Sequence, residues 1–235
     1  RERERERERE RVMMMMMMMM MILIVMNTMI MVNSSTTQEQ QYVCPKYEDL
    51  RDETVNAKTF SIDEFKGRWY MIATTEPTMP TFCRCGYNDV TIGSTTYEYA
   101  NHDQCNEKTF HHNITIHIKG ELSSDPESPG DLRENAALFN HTVGKLDPNY
   151  LFRVERDSKG NIEVAYTYAC LGKLPPVVGR DRFSFNVLAR SPEGYDQTRI
   201  NAMIQAVNQS ASSRGVVFDF SDLRVDDAEA FKACY

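Results

Sequence analysis

"FKGRWYMIATTEP", residues 65–77, holds the chain's only tryptophan, Trp69, directly after Gly67-Arg68. The residues after it are apolar at odd and even positions alike: Met71 and Ala73, but also Tyr70 and Ile72. Successive side chains of a strand point to opposite faces. A strand with this text has apolar surface to bury on both sides.

Downstream of Trp69 the same kind of text returns at short intervals. After "RWYMIAT" (68–74) come "CGYNDVTI" (85–92), "TTYEYAN" (95–101), "FHHNITIHI" (110–118), "NAALFNHTV" (135–143), "NYLFRVER" (149–156), "NIEVAYTYAC" (161–170) and "RFSFNVLAR" (182–190). Turn signals separate them, among them Gly93-Ser94, "SSDPESPGD", Asp147-Pro148, "DSKGN" and "LPPVVGRD". Eight antiparallel candidates in succession predict an all-β domain, an up-and-down barrel or a sandwich. The period then changes. In "YDQTRINAMIQAVNQ", Ile200, Met203, Ile204 and Val207 recur at helical spacing and predict one amphipathic helix lying outside the sheet. "VVFDFSDLRVDDAEAFKACY" closes the chain with room for one short strand and a tail held by Cys234.

The beginning of the chain reads differently. Arg1–Arg11 alternates Arg and Glu, and Met13–Met21 is nine consecutive Met, a pattern resembling translated simple repeats, and the natural start is expected among those Met residues. "MILIVMNTMIMVNSST" then has the apolar run and small polar exit of a secretory signal peptide, with cleavage expected near Ser34 to Thr37. The alternative is an uncleaved anchor over Val12–Val32, whose 21 residues are enough to span a bilayer. Residues 1–37 are therefore expected to be absent from the mature protein, and residues 38–235 to form one domain. The Arg-Glu tract carries six Arg and five Glu, so the formal charge moves from −7 to −8 without it. An acidic chain with no Lys/Arg cluster is a poor partner for nucleic acid.

Six cysteines remain, Cys44, Cys83, Cys85, Cys105, Cys170 and Cys234. An even number behind a secretory signal suggests three disulfides without choosing among the pairings. Sequons at Asn33, Asn113, Asn140 and Asn208 fit the same compartment, secreted or extracellular, and Asn113, Asn140 and Asn208 are the expected glycosylation positions in the domain.

"FKGRWYMIA" and "FSFNVLARSP" resemble the first and third conserved regions of the lipocalin family, with Gly67-x-Trp69 opening the first barrel strand and Arg190 ending the eighth. The resemblance runs from Cys44-Pro45 to Cys234. It is nearest to the apolipoprotein D and insect bilin-binding group, which share a Cys-Pro at the start, a Cys ending the seventh strand, "LAR-x-P" ending the eighth, a helix and a late Cys. It implies an eight-stranded up-and-down barrel with one C-terminal helix packed outside, and a barrel floor built from Gly67, Trp69 and Arg190. The middle lipocalin region, usually Thr-Asp-Tyr, is replaced here by "ERDSKGN" around Asp157. The resemblance also implies Cys44–Cys170 and Cys85–Cys234, leaving Cys83 with Cys105. A hairpin centred on Ser94 supports that last pair, because it sets 83 opposite 105 on neighbouring strands. The competing reading, a redox pair in Cys83-Arg84-Cys85, has no redox fold around it.

Parity separates inside from outside. With Trp69 inward, Met71 and Ala73 lie on the same side, while Tyr70 and Ile72 face out. With Arg190 at the floor, Leu188 and Asn186 line the wall, and Phe185 and Val187 face out toward the helix. A glycan on Asn113 requires an outward side chain, sending Ile114, Ile116 and Ile118 inward. The seventh strand is ambiguous between its two faces, and Tyr168 is taken as lumenal. These residues predict an apolar lumen for one small ligand.

The resemblance then implies a secreted carrier of a small hydrophobic molecule such as a fatty acid, sterol, retinoid or pigment, without cofactor and without catalysis, as monomer or weak oligomer. Membrane or receptor contact would fall to the loops at the barrel mouth, and a signal-anchored form is the alternative localisation. Two other functions stay open. "FCRC" shortly after "GRWY" is similar to the violaxanthin de-epoxidases, lipocalin-type enzymes whose Cys-rich domain and Glu-rich tail do not stand in these 235 residues. The other is a protein-interaction module acting through the mouth loops. His111, His112 and His117 invite a metal reading, but neighbours on a strand face opposite ways, and two imidazoles make a poor zinc site. No G-x-S-x-G, H-E-x-x-H or Walker glycine loop occurs.

Overall fold

The computed structural model describes residues 44–75, 82–107, 110–135, 137–138, 141–142, 147–170 and 183–235. The expected leader and the sequons at Asn33 and Asn140 lie outside them. A short helix α1 (Tyr47–Leu50) and a 3₁₀ turn (Ile62–Phe65) precede the first strand. Strands β1 (Gly67–Thr74), β2 (Cys83–Ile92), β3 (Thr96–Glu107), β4 (Phe110–Glu121), β5 (Asp131–Asn135), β6 (Ala137–Leu138), β7 (His141–Thr142), β8 (Asp147–Arg156), β9 (Ile162–Cys170) and β10 (Phe183–Ala189) come next. Helix α2 (Gln197–Ser212), strand β11 (Arg224–Val225) and helix α3 (Ala228–Cys234) complete the chain.

Eight of these strands form one closed antiparallel ring, β1-β2-β3-β4-β5-β8-β9-β10, sealed by pairing of β10 with β1. β11 adds outside the ring on β1, and β6 and β7 pair only with each other. The fifth ring strand is Asp131–Asn135, ahead of the 135–143 run that its composition favours. Its alternation of Leu132 and Glu134 with Asp131, Arg133 and Asn135 is strand-like, but a buried carboxylate on the inner face hides it from a reading based on apolar residues.

Two apolar clusters divide the strands by face. The inner one joins Trp69, Met71, Val90, Tyr97, Leu132, Leu151, Val154, Ala165 and Leu188, with Val55, Phe60 and Phe65 from the leading segment packed beneath. The outer one joins Ile72, Phe152, Tyr166, Tyr168, Phe185 and Val187 to the stripe Ile200, Met203, Ile204, Val207 and Ala211 of α2. Asp196 caps α2 by accepting a hydrogen bond from the Arg199 N–H at 2.7 Å. The helix is therefore the second apolar layer that the two-sided text of β1 requires. Phe218, from the chain after α2, adds its ring against Phe152, Tyr168 and Phe185 at 5.3–6.1 Å.

Strict alternation breaks at bulges after Met71 in β1, after Arg84 in β2 and after Leu151 in β8. In each of these, two residues oppose one, and the strand's inside and outside exchange parity. Ile72 and Ala73 together face Val187, so both join the outer cluster. The expectation that Ala73 lines the lumen is corrected by this bulge. Thr74 takes the inward place instead, opposite Asn186.

Candidate functional site: the barrel floor and lumen

The floor is built on Gly67, whose φ of +97° bends the chain from the 3₁₀ turn into β1. Phe65 and Trp69 then meet at 5.1 Å between ring centres, and the indole N–H donates to the Phe65 carbonyl at 2.7 Å. Arg190, the residue after β10, lies 3.7 Å over the indole face. Its Nη1 donates to the carbonyls of Lys66 and Arg68, and its Nη2 to that of Glu64. The guanidinium thus takes up backbone acceptors that strand pairing leaves over at this end, and burial pulls its pKa below the ordinary arginine value. Trp69 is fully buried beneath it. A pocket of about 340 Å³ at this end is lined by Glu64, Asp157, Asn161, Ile162, Glu163 and Arg190.

Above the floor the inner face can be traced strand by strand through its registers. Trp69 opposes Asn88, Asn88 opposes Asn101, and Asn101 opposes Ile116. Tyr99 opposes Ile118, and Asp103 opposes Ile114. Of these inward side chains Trp69, Asn88, Asn101 and Asp103 are buried, whereas those of β4 keep exposed surface. Ile114 is 37% exposed, and Ile116, Ile118, Tyr99, Asn149 and Asn186 are half-buried, whereas Tyr166 and Phe185 on the outside are fully buried. The interior is packed near the floor and accessible above it.

The lumen is not uniformly apolar. Thr74 donates to Asn186 Oδ1 at 2.6 Å, and Asn186 Nδ2 donates to Thr167 at 3.2 Å. Asn101 donates to Asn88 at 2.9 Å with both side chains buried. On the far wall Glu134 accepts from Tyr99 (3.0 Å) and Asn149 (2.7 Å), and Asn149 also donates to Tyr97. Burial, with the Glu134 carboxylate adding to it, pushes the Tyr97 hydroxyl well above the ordinary tyrosine pKa. Asp147, opposite Glu134, is raised above the usual carboxylate value by burial.

Met71 and Leu188 stand at the floor end of this lumen, Asn186 on its wall, and Ile114, Ile116 and Ile118 along β4. Tyr168 does not: it stacks on Phe183 at 5.5 Å in the outer cluster, and the lumenal residue of β9 is its neighbour Thr167. β9 carries apolar side chains on both faces because α2 and Phe218 cover its outer one. Thr74, Thr167, Asn88, Asn101, Glu134 and Asn149 are inward residues that reasoning from apolar patterning passes over.

Disulfides join Cys44 to Cys170, Cys83 to Cys105 and Cys85 to Cys234. The first ties the leading segment to the end of β9, the second crosslinks β2 and β3, and the third pins α3 to the β2 bulge. Asp226 supports that pin by accepting from the Cys85 N–H at 2.8 Å and pairing with Arg84. Asn113 is exposed on the outer face of β4, and Asn208 is half-buried on α2. His117 is exposed and faces outward, opposite Ala100, while the side chains of His111 and His112 lie outside the described residues. Among the described residues no group of three or more His, Cys, Asp or Glu is placed to hold a metal, and no helix is long and apolar enough to cross a membrane.

Among solved structures, the chain is similar to insecticyanin from the tobacco hornworm Manduca sexta, at 16% identity over 82% of this chain and 89% of that one, with a TM-score of 0.50. The fold is the lipocalin fold. Lobster apocrustacyanin A1 is also similar, at 14% identity over 69% of this chain and 77% of that one, with a TM-score of 0.46. The assignment rests on the insecticyanin likeness together with the closed ring, the outer strand and the helix of this lipocalin barrel. No protein-family model matches the chain, nor does any curated protein.

Proposed function

We propose that this protein is a secreted lipocalin that encloses one small hydrophobic molecule in its barrel and carries it through water. One observation carries the reading: the barrel is plugged at one end by Trp69 and Arg190, yet Ile114, Ile116 and Ile118 of β4 and Asn186 of β10 above the plug keep exposed surface. Burial of apolar ligand surface there contributes roughly 25 cal/mol per Å², and an eight-stranded barrel has room for one small guest. Three disulfides support an oxidising, extracellular compartment. Within the fold, Cys44-Pro45, Cys170 at the end of β9, Arg190-Ser191-Pro192 and Cys234 support a place near the apolipoprotein D and insect bilin-binding group. Met71, Ile114, Ile116, Ile118, Asn186 and Leu188 are the proposed ligand contacts.

The test is titration of the purified protein with a panel of fatty acids, sterols, retinoids and tetrapyrroles, read by calorimetry. Saturation at about one ligand per chain by at least one class is the expected result. No saturable binding by any class, with the protein folded, contradicts a carrier and leaves the interaction module.

A further inference from the structure

β1 and β2 pair over only part of the barrel's height. Their ladder runs from Gly67–Val90 to Tyr70–Tyr87 and goes no further among the described residues. Above it β2 bulges at Cys85 and Gly86, with Cys85 at a φ of +57°. The edge of β1 that β2 leaves is taken by β11, through Ala73–Val225 and Thr74–Arg224. Asp226 then spans the gap that remains between β1 and β2. Its N–H donates to the Ile72 carbonyl at 3.0 Å on one side, while its carboxylate accepts from the Cys85 N–H at 2.8 Å and from Arg84 Nε at 2.6 Å on the other. Arg84 also donates to the Val225 carbonyl at 2.9 Å. Beyond Asp226, the disulfide Cys85–Cys234 fixes α3 to β2, the Tyr235 hydroxyl donates to the Cys85 carbonyl at 3.3 Å, and Phe231 of α3 packs edge-on against Tyr70.

Both flanks of this gap are held by their other neighbours. β1 pairs with β10 at Ala73–Val187 and Thr74–Asn186, and the Thr75 N–H donates to the Phe185 carbonyl at 2.9 Å. β2 pairs with β3 at Cys83–Cys105 and Arg84–Gln104, the first of these also a disulfide. Release of the C-terminal segment thus parts β1 from β2 without undoing the pairing of either strand on its far side. The inward side chains of β1 beside the gap are Met71 and Thr74, so the parting leads into the lumen. From this arrangement we infer that residues 224–235 are a latch on a side opening of the barrel: in place they complete the wall between β1 and β2, and released they open the lumen laterally. Use of the opening by a guest rests on the carrier reading above, whereas the latch itself does not.

The test is residue-resolved amide hydrogen exchange on the full domain, without ligand and at low urea concentrations. An amide freed by a local opening exchanges with little dependence on urea, whereas one freed only by global unfolding depends on it steeply. In the double variant Cys85→Ser with Cys234→Ser, the amides at positions 85 and 226 are expected to exchange about tenfold or more faster, relative to those of Thr75, β9 and β10 in the same sample, and nearly independently of urea. Asp226→Ala removes the bridge with all three disulfides intact and serves if the double variant does not fold; its readout is the amide at position 226, whose acceptor on Ile72 is unaltered. Equal acceleration at all these amides marks global unfolding and overturns the inference. No relative acceleration at position 226 in either variant overturns it as well. Neither result bears on the carrier reading, which the ligand titrations decide.

Discussion

At position 67 a methyl group would stand 3.2 Å from Nη1 of Arg190, on a backbone whose φ of +97° disfavours any side chain. Gly67→Ala is expected to cost about 1–2 kcal/mol in chemical denaturation, and a change within error would show that the floor tolerates the methyl. Trp69→Ala empties the floor itself and is expected to cost about 3–5 kcal/mol. Wild-type melting of that variant would contradict the assigned place of the indole. Glu64 adds a pH dependence at the same end. The hydrogen bond from Arg156 first, and the Ser61 N–H after it, hold its carboxyl below the ordinary value of 4.5. A carboxylate with a lowered folded pKa binds fewer protons folded than unfolded. Its contribution is thus present above the ordinary value and lost as pH falls through the folded one. Glu64→Gln should be less stable than wild type at neutral pH, with the difference closing as pH falls below the ordinary value of 4.5. Parallel stability curves over that range would remove Glu64 from the acid response.

At the scale of elements, the disulfide Cys44–Cys170 ties the chain before α1 to the end of β9 across 126 residues. Cys170→Ser is expected to cost about 2–5 kcal/mol, and equal unfolding with and without reductant would rule out a stabilising bridge there. Strand count, order and the outer helix are legible in the sequence because apolar periodicity and turn residues carry them locally. Inside-outside parity is legible only up to the first bulge. Met71 shares the face of Trp69 by strict alternation, but the extra residue at Ile72-Ala73 leaves no mark in a run where every side chain is apolar. Tyr168 escapes a sequence reading for a related reason. An aromatic ring is equally at home in a lumen and under a helix, and only the pairing of Thr167 with Asn186 separates the two. β5 is obscured by Glu134, whose partners Tyr99 and Asn149 come from the other strands β3 and β8.

For the whole molecule, the proposed function requires a barrel packed solid at its floor and unfilled above it. The outer cluster stabilises the fold without using the inner face, so stability and binding can be altered separately. Ile116→Trp tests that division most directly, because it inserts a large ring into the lumen without touching the helix-covered surface. With an unfilled lumen, the variant melts within about 0.5 kcal/mol of wild type and loses saturable ligand binding. Destabilisation of about 1–3 kcal/mol, the mark of overpacking, or ligand binding that survives unchanged, would show that the interior of β4 is not where a guest is held.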